Sequence, residues 1–175
     1  MAVLNLDKAG IITDSDEGNF RPTDPITRAE LAVMAAQFCT ITEKVPATSF
    51  KDIPADYWAA DEIALIEYAG WIEGYNGCFH PDDNLSRAEA MTIVNRMLHR
   101  GAEKEHMLDG MTTWVDNADS SQWYYNAVQE ATNSHDYTRT NVLLTGEQFH
   151  GDKWTELLEA TDWAAMERAW INANS

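Results

Sequence analysis

Apolar residues recur at helical spacing over two stretches that begin alike. Leu31, Met34, Ala35 and Phe38 fall at i, i+3, i+4 and i+7, and Met91, Val94, Met97 and Leu98 form the counterpart. Each stretch opens on a capping box, Thr27-Arg28-Ala29-Glu30 and Ser86-Arg87-Ala88-Glu89. There the hydroxyl accepts from the third amide of the helix and the glutamate reaches back to the cap amide. A separate helix is predicted over Tyr57 to Ala69, with Asp56 as N-cap and Gly70 as C-cap. It places Ala59, Ile63 and Ile66 on one face. The pattern therefore predicts units of two helices joined by a tight Gly-x-Phe-x-Pro connection.

The units repeat. Gly10-Ile11-Ile12, Gly18-Asn19-Phe20-Arg21-Pro22 and Ile26-Thr27-Arg28-Ala29-Glu30 return in order as Gly70-Trp71-Ile72, Gly77-Cys78-Phe79-His80-Pro81 and Leu85-Ser86-Arg87-Ala88-Glu89. The offset is 59 residues from Phe20 to Phe79 and again from Arg28 to Arg87. An earlier half, Phe50-Lys51-Asp52 followed by Trp58, returns as Trp114-Val115-Asp116 followed by Trp123. The expected organisation is one repeat domain: a partial first repeat over 1–45, a second over 46–104 and a degenerate third over 105–175. The third keeps a remnant box at Thr145-x-x-Gln148 and apolar helices around Trp154 to Leu158 and Trp163 to Trp170. Opening in mid-repeat, the chain reads as an excised domain whose signal peptide lies elsewhere.

Composition narrows the function. The 175 residues, 45% hydrophobic with seven Trp, are enough for a packed core. A net charge of −17 repels nucleic-acid phosphates and anionic lipid headgroups, and no apolar run is long enough to span a bilayer. Two cysteines make no disulfide framework; Cys39 falls at a core position and Cys78 in a turn. The five histidines show no ligand spacing, so neither metal nor cofactor is expected. Asp14-Ser15-Asp16-Glu17-Gly18 superficially suggests a calcium loop, but its glycine stands fifth and Pro25 stands at position twelve. No serine or cysteine comes with a base, so an enzyme is not expected.

Phe-x-Asp, Trp, a helix, Gly-x-x-x-Gly-Tyr, Gly-x-Phe-x-Pro and Thr/Ser-Arg-Ala-Glu, in that order, resemble the S-layer homology family. The likeness is strongest over residues 9 to 100. The resemblance implies an all-α fold, tandem helix hairpins in a bundle of pseudo-threefold symmetry, with at most very short extended pieces. It implies a secreted cell-surface module that anchors a protein non-covalently to secondary cell-wall polysaccharide bearing pyruvate ketals. It also implies glycan contacts at Arg28, Arg87, Asp52, Trp58, Gly74 and Tyr75, extending to Asp116 and Trp123.

The chemistry of these residues agrees with that role and leaves plainer roles open. Arginine offers a planar fork to a carboxylate, and Arg28 and Arg87 stand at the first helical position, where free amides and the helix dipole also favour an anion. The same arginines serve equally as ordinary surface residues. Trp58 and Trp123 present sugar-stacking faces or fill the core; Asp52 and Asp116 accept from sugars or cap a turn; Glu30 and Glu89 are caps rather than acids. Gly146 replaces the arginine in the third repeat, which is therefore expected to close the bundle without binding. The rival reading is an envelope protein-interaction module with vestigial grooves. A more distant one is an accessory fragment of a surface glycosidase.

Overall fold

The structure is a computed structural model, described over residues 21–159 and 162–173. The Gly10-Ile11-Ile12 and Gly18-Asn19-Phe20 signatures and the Asp14–Gly18 segment lie outside these residues. The chain divides into two compact units between Met97 and Leu98.

In the first unit, α1 (Arg28–Ala36), α2 (Ala60–Tyr68) and α3 (Arg87–Met97) form the framework. Both capping boxes are made. The Glu30 amide donates to Thr27 Oγ1 at 3.2 Å while the Thr27 amide donates to Glu30 Oε2 at 2.7 Å. The Ser86–Glu89 box repeats this at 3.2 and 2.8 Å. Helix α2 starts later than Asp56 predicts, with Ala59 as N-cap and no side-chain cap. It ends as expected: Gly70, at φ +72°, lets the chain turn while its amide donates to Glu67.

The core joins Ile63 and Ile66 of α2 to Phe50, Ile53, Ile72, Phe79 and Ile93. Against them α1 turns Ala29, Ala32, Ala35 and Ala36, not the larger stripe read from the sequence; Leu31 packs at the margin and Phe38 is exposed. Small residues bring α1 close to α2, and that approach rotates the bulky positions outward. Helix α3 likewise buries Ile93 and exposes Val94; Leu98, just past its end, is exposed too. Cys39 is half-buried, and Cys78 lies in the expected turn.

The second unit overturns the all-α expectation. After two 3-10 turns, Lys104–His106 and Val115–Asn117, comes α4 (Tyr125–Thr132), and then an antiparallel hairpin of β1 (His135–Leu143) and β2 (His150–Leu157). The chain closes on α5 (Trp163–Ala173), the helix expected near Trp163. Thr145-x-x-Gln148 is the hairpin turn, with Gly146 at φ +79° and the Leu144 amide donating to Phe149 at 3.0 Å. Trp154 to Leu157, expected in a helix, alternates instead: Asp152 and Trp154 are buried and Lys153 and Thr155 exposed. Strand β1, Tyr137-Thr138-Arg139-Thr140-Asn141-Val142-Leu143, is rich in residues that suit a pleated surface.

What α4 buries is polar. Gln129 and Glu130 have no exposed surface, and Asn117 and Asn133 are buried near them. Glu130 Oε1 lies 3.1 Å from both Arg100 Nη2 and His135 Nε2, and Trp154 Nε1 donates to Oε2 at 2.9 Å. The His135 ring stacks on Trp154 at 4.0 Å. Burial opposes the charge of Glu130, but His135, Trp154 and Arg100 outweigh it and hold its pKa below the ordinary 4.5. Beside this network Arg139 Nε contacts Asp152 Oδ1 at 3.0 Å, and the Gly101 amide donates to Oδ2 at 3.2 Å.

Removing one member should cost more than the network contributes as a whole, because the remaining charge is stranded. Glu130→Ala should lower the stability of the second unit by about 3 kcal/mol. Glu130→Gln, which keeps an acceptor for Trp154, should cost less. Urea unfolding followed by near-ultraviolet circular dichroism checks this; a Glu130→Ala curve superimposed on the wild type would show that the network carries no stability.

Candidate functional site

Four of the candidate residues of the first unit, Arg28, Asp52, Gly74 and Tyr75, meet at one loop, Glu73 to His80. Its tip is a two-residue turn: Asn76 and Gly77 have φ of +54° and +76°, and Tyr75 and Cys78 exchange both backbone bonds at 2.8 and 3.0 Å. Asn-Gly is the pair that suits a tight hairpin turn with two left-handed residues. The turn displays Tyr75, 71% exposed.

Asp52 sits beneath this loop. Its Oδ1 accepts from the Phe79 amide and its Oδ2 from the His80 amide, each at 2.7 Å. Burial works to raise its pKa, and the two amides outweigh it, so the carboxyl titrates below its ordinary value of 3.8. His80 itself holds φ +59°. Gly74 is required by space: an added Cβ would lie 2.3 Å from the Cys78 carbonyl oxygen and from the Phe50 ring. Trp58 is 60% exposed beside Tyr57, with ring centroids 5.8 Å apart, so it is not a core filler. Tyr57 Oη in turn reaches Asp82 at 3.5 Å.

The two arginines, equivalent in sequence, differ in the structure. Arg28 is nearly buried, its side chain 11% exposed. Its Nη1 donates to Glu89 Oε1 at 2.7 Å, Nε to the Phe79 carbonyl at 2.8 Å and Nη2 to the Glu73 carbonyl at 2.9 Å. The guanidinium also stands 5.0 Å from the centroid of the Phe79 ring. The first amides of α1 are equally occupied: Arg28 donates to the Asp83 carbonyl and Ala29 to that of Pro81, both at 3.0 Å. Arg87 is exposed and, among the described residues, its side chain has no ion pair or hydrogen bond. The amides of Arg87 and Ala88 likewise donate to no described carbonyl.

Asp116 and Trp123 belong to the second unit, where both are exposed. Asp116 lies in the Val115–Asn117 turn and Trp123 meets Tyr124 edge-on at 5.4 Å. The side chain that turns inward beside them is Asn117, whose Nδ2 donates to Gln129 Oε1 at 3.3 Å. Sequence reasoning passed over Asn117, because it was matching the aspartate of the motif. Nor does the motif mark Glu73, whose carbonyl accepts from Arg28 and whose Oε2 lies 3.3 Å from Arg96 Nη2.

Glu30, Asp52 and Glu89 all titrate below their ordinary values. Burial opposes each charge and is outweighed by hydrogen bonds and by a neighbouring arginine, Arg21 for Glu30 and Arg28 for Glu89. Each binds its proton more weakly folded than unfolded, so its contribution is complete above the unfolded value and is lost as pH falls through the folded one. Hydrogen exchange at the Phe79 and His80 amides, followed from about pH 7 to about pH 3, should show protection collapsing on the acid side. Asp52→Asn should remove that acid dependence, and an unchanged profile would dissociate Asp52 from the loop. Gly74→Ala should lower stability by about 1–3 kcal/mol through overpacking, measured by thermal melting; an unaltered melt would mean that the loop yields freely.

The model of the S-layer homology domain matches residues 2–32 and 49–91. Cell surface glycoprotein 1 of Acetivibrio thermocellus is 36% identical over 105 residues, covering 58% of this chain and 4% of that protein. The surface-layer 125 kDa protein of Lysinibacillus sphaericus is 37% identical over 94 residues, 53% of this chain and 8% of that protein. The cellulosome-anchoring protein of Acetivibrio thermocellus is 34% identical, over 57% of this chain and 23% of its own length. The chain thus spans less than a quarter of each of these relatives. With two segments matching the family model and both capping boxes formed, the chain belongs to the S-layer homology domain family.

Proposed function

We propose that the chain is a non-catalytic anchoring module that holds a protein on the bacterial cell surface by gripping secondary cell-wall polysaccharide, with the acidic substituent of the glycan, a pyruvate ketal, held at the start of α3. The observation that carries this reading is the open N-terminus of α3 in a member of the S-layer homology family. Arg87 is exposed, and among the described residues neither its guanidinium nor the amides of Arg87 and Ala88 have a partner. A carboxylate there meets a planar guanidinium fork, two backbone donors and the positive end of the helix dipole. Trp58 and Tyr75, both well exposed on the same unit, supply aromatic faces for the sugar rings. The names of the relatives, a surface-layer protein and a cellulosome-anchoring protein among them, agree with a role at the cell surface. With a net charge of −17, capture of an acidic glycan is a contact effect, since charges beyond about 8–10 Å are screened at ordinary salt.

Arg87→Ala should therefore weaken binding to purified wall polysaccharide by about 1.5–3 kcal/mol with an unchanged melting temperature. Calorimetry on the polysaccharide before and after removal of its pyruvate tests both halves. Undiminished binding by Arg87→Ala, or binding that ignores pyruvate, would refute the assignment.

A further inference from the structure

We propose that Arg28 is a positioning residue for the glycan face of the second repeat, acting through the Glu73–His80 loop without touching the ligand. The inference rests on the anchoring reading above. Every polar edge of the Arg28 guanidinium is turned inward: Nε and Nη2 to the carbonyls of Phe79 and Glu73, Nη1 to Glu89. Those two carbonyls lie on opposite legs of the turn that displays Tyr75. Asp52 holds the amide side of the second leg, at Phe79 and His80. Lys51 adds a backbone bond to the Gly77 carbonyl at 3.0 Å. A two-residue hairpin alone is marginal in water, and Tyr75 at its tip is mostly exposed, so little of its own packing fixes it.

The backbone on both legs of the turn is gripped by one guanidinium, Arg28, which comes from the preceding repeat; Asp52 holds the second leg, and Arg96 of α3 meets only the Glu73 side chain, Nη2 to Oε2 at 3.3 Å. A second repeat cut away from the first would keep Arg87, Trp58 and Tyr75 but lose the residue that sets the Tyr75 turn. Holding the turn in place before the ligand arrives lowers the ordering cost of binding. Glu89 joins the two events, because the carboxylate that caps α3, where Arg87 stands, is the one that Arg28 grips.

A contact and a positioning role predict different patterns. The probes are a synthetic pyruvate-ketal hexoside and its methyl ester, titrated by nuclear magnetic resonance into the full chain. Arg87→Gln should weaken the acid about tenfold and leave the ester unchanged, since only the carboxylate contact is lost. Arg28→Gln should weaken acid and ester by the same factor, again about tenfold, because Tyr75 is displaced for both. Arg28→Lys keeps the charge but cannot reach Phe79, Glu73 and Glu89 together, so it should fail alike. Both Arg28 variants should speed hydrogen exchange at the Tyr75 and Cys78 amides while core amides of α2 stay protected. A penalty confined to the acid, or one rescued by Arg28→Lys, would make Arg28 a ligand contact and overturn the proposal. Unchanged exchange at Tyr75 and Cys78 alongside intact binding would overturn it too. A wild-type chain that binds neither probe would instead remove the anchoring reading, whatever the exchange shows.

Discussion

The first turn of α1 has to satisfy its free amides and a buried guanidinium in the same small space, and the rest of the first unit follows from how it does so. The amides of Arg28 and Ala29 go to the carbonyls of Asp83 and Pro81, and the Leu85 amide returns to the Ile26 carbonyl. The guanidinium goes to Glu73, Phe79 and Glu89. Buried cations are tolerated when every donor finds an acceptor, and here all the acceptors come from the second repeat. The repeats are therefore joined through polar groups at a helix end, while the apolar core behind them, Ala29 and Ala32 against Ile63 and Ile66, fixes the distance.

The same sequence 59 residues later has the opposite fate. Arg87 occupies the position of Arg28 and Glu89 that of Glu30, both with intact capping. One further step of 59 from Glu89 falls on Gln148, which lies in the hairpin turn and carries no charge. The carboxylate that answers Arg28 thus has no equivalent in sequence for Arg87. The same arginine is an internal fastener in one repeat and, among the described residues, an exposed side chain in the next.

Much of this was legible in the sequence. The capping boxes, Gly70 at the end of α2 and the 59-residue spacing depend on local chemistry, and local chemistry is what a single sequence displays. The distinction between Arg28 and Arg87 was not legible. Both stand at a first helical position after a hydroxyl residue, and only a partner 45 to 61 residues away separates them. The exposed positions of Phe38, Val94 and Leu98 were misread because a helical stripe gives a direction, whereas the alanines decided which side came close. The hairpin was missed because Thr145-x-x-Gln148 was matched to a capping box. The alternating β-branched residues Thr138, Thr140 and Val142 before it, with Gly146 in the turn, are the competing signal.

The second unit argues against simple decay of a third repeat. Trp123 follows Trp58 by 65 residues, and on that spacing Gln129 and Glu130 stand where α2 has Ala64 and Leu65. Random loss of apolar residues would leave buried polar groups without partners, each costing about 1–3 kcal/mol. Here Glu130 has Arg100, His135 and Trp154, Asp152 has Arg139 and the Gly101 amide, and Gln129 has Asn117 and the Thr112 carbonyl. His135, Arg139, Asp152 and Trp154 all come from the hairpin. The polar face of α4 and the hairpin therefore require each other. Without the hairpin Glu130 would keep only Arg100, and on an apolar α4 the hairpin's His135 and the Trp154 indole would lose their acceptor, while Arg139 and Asp152 would still pair with each other. Core chemistry and topology are coupled in this unit, so residues beyond those matched by the family model still pack together.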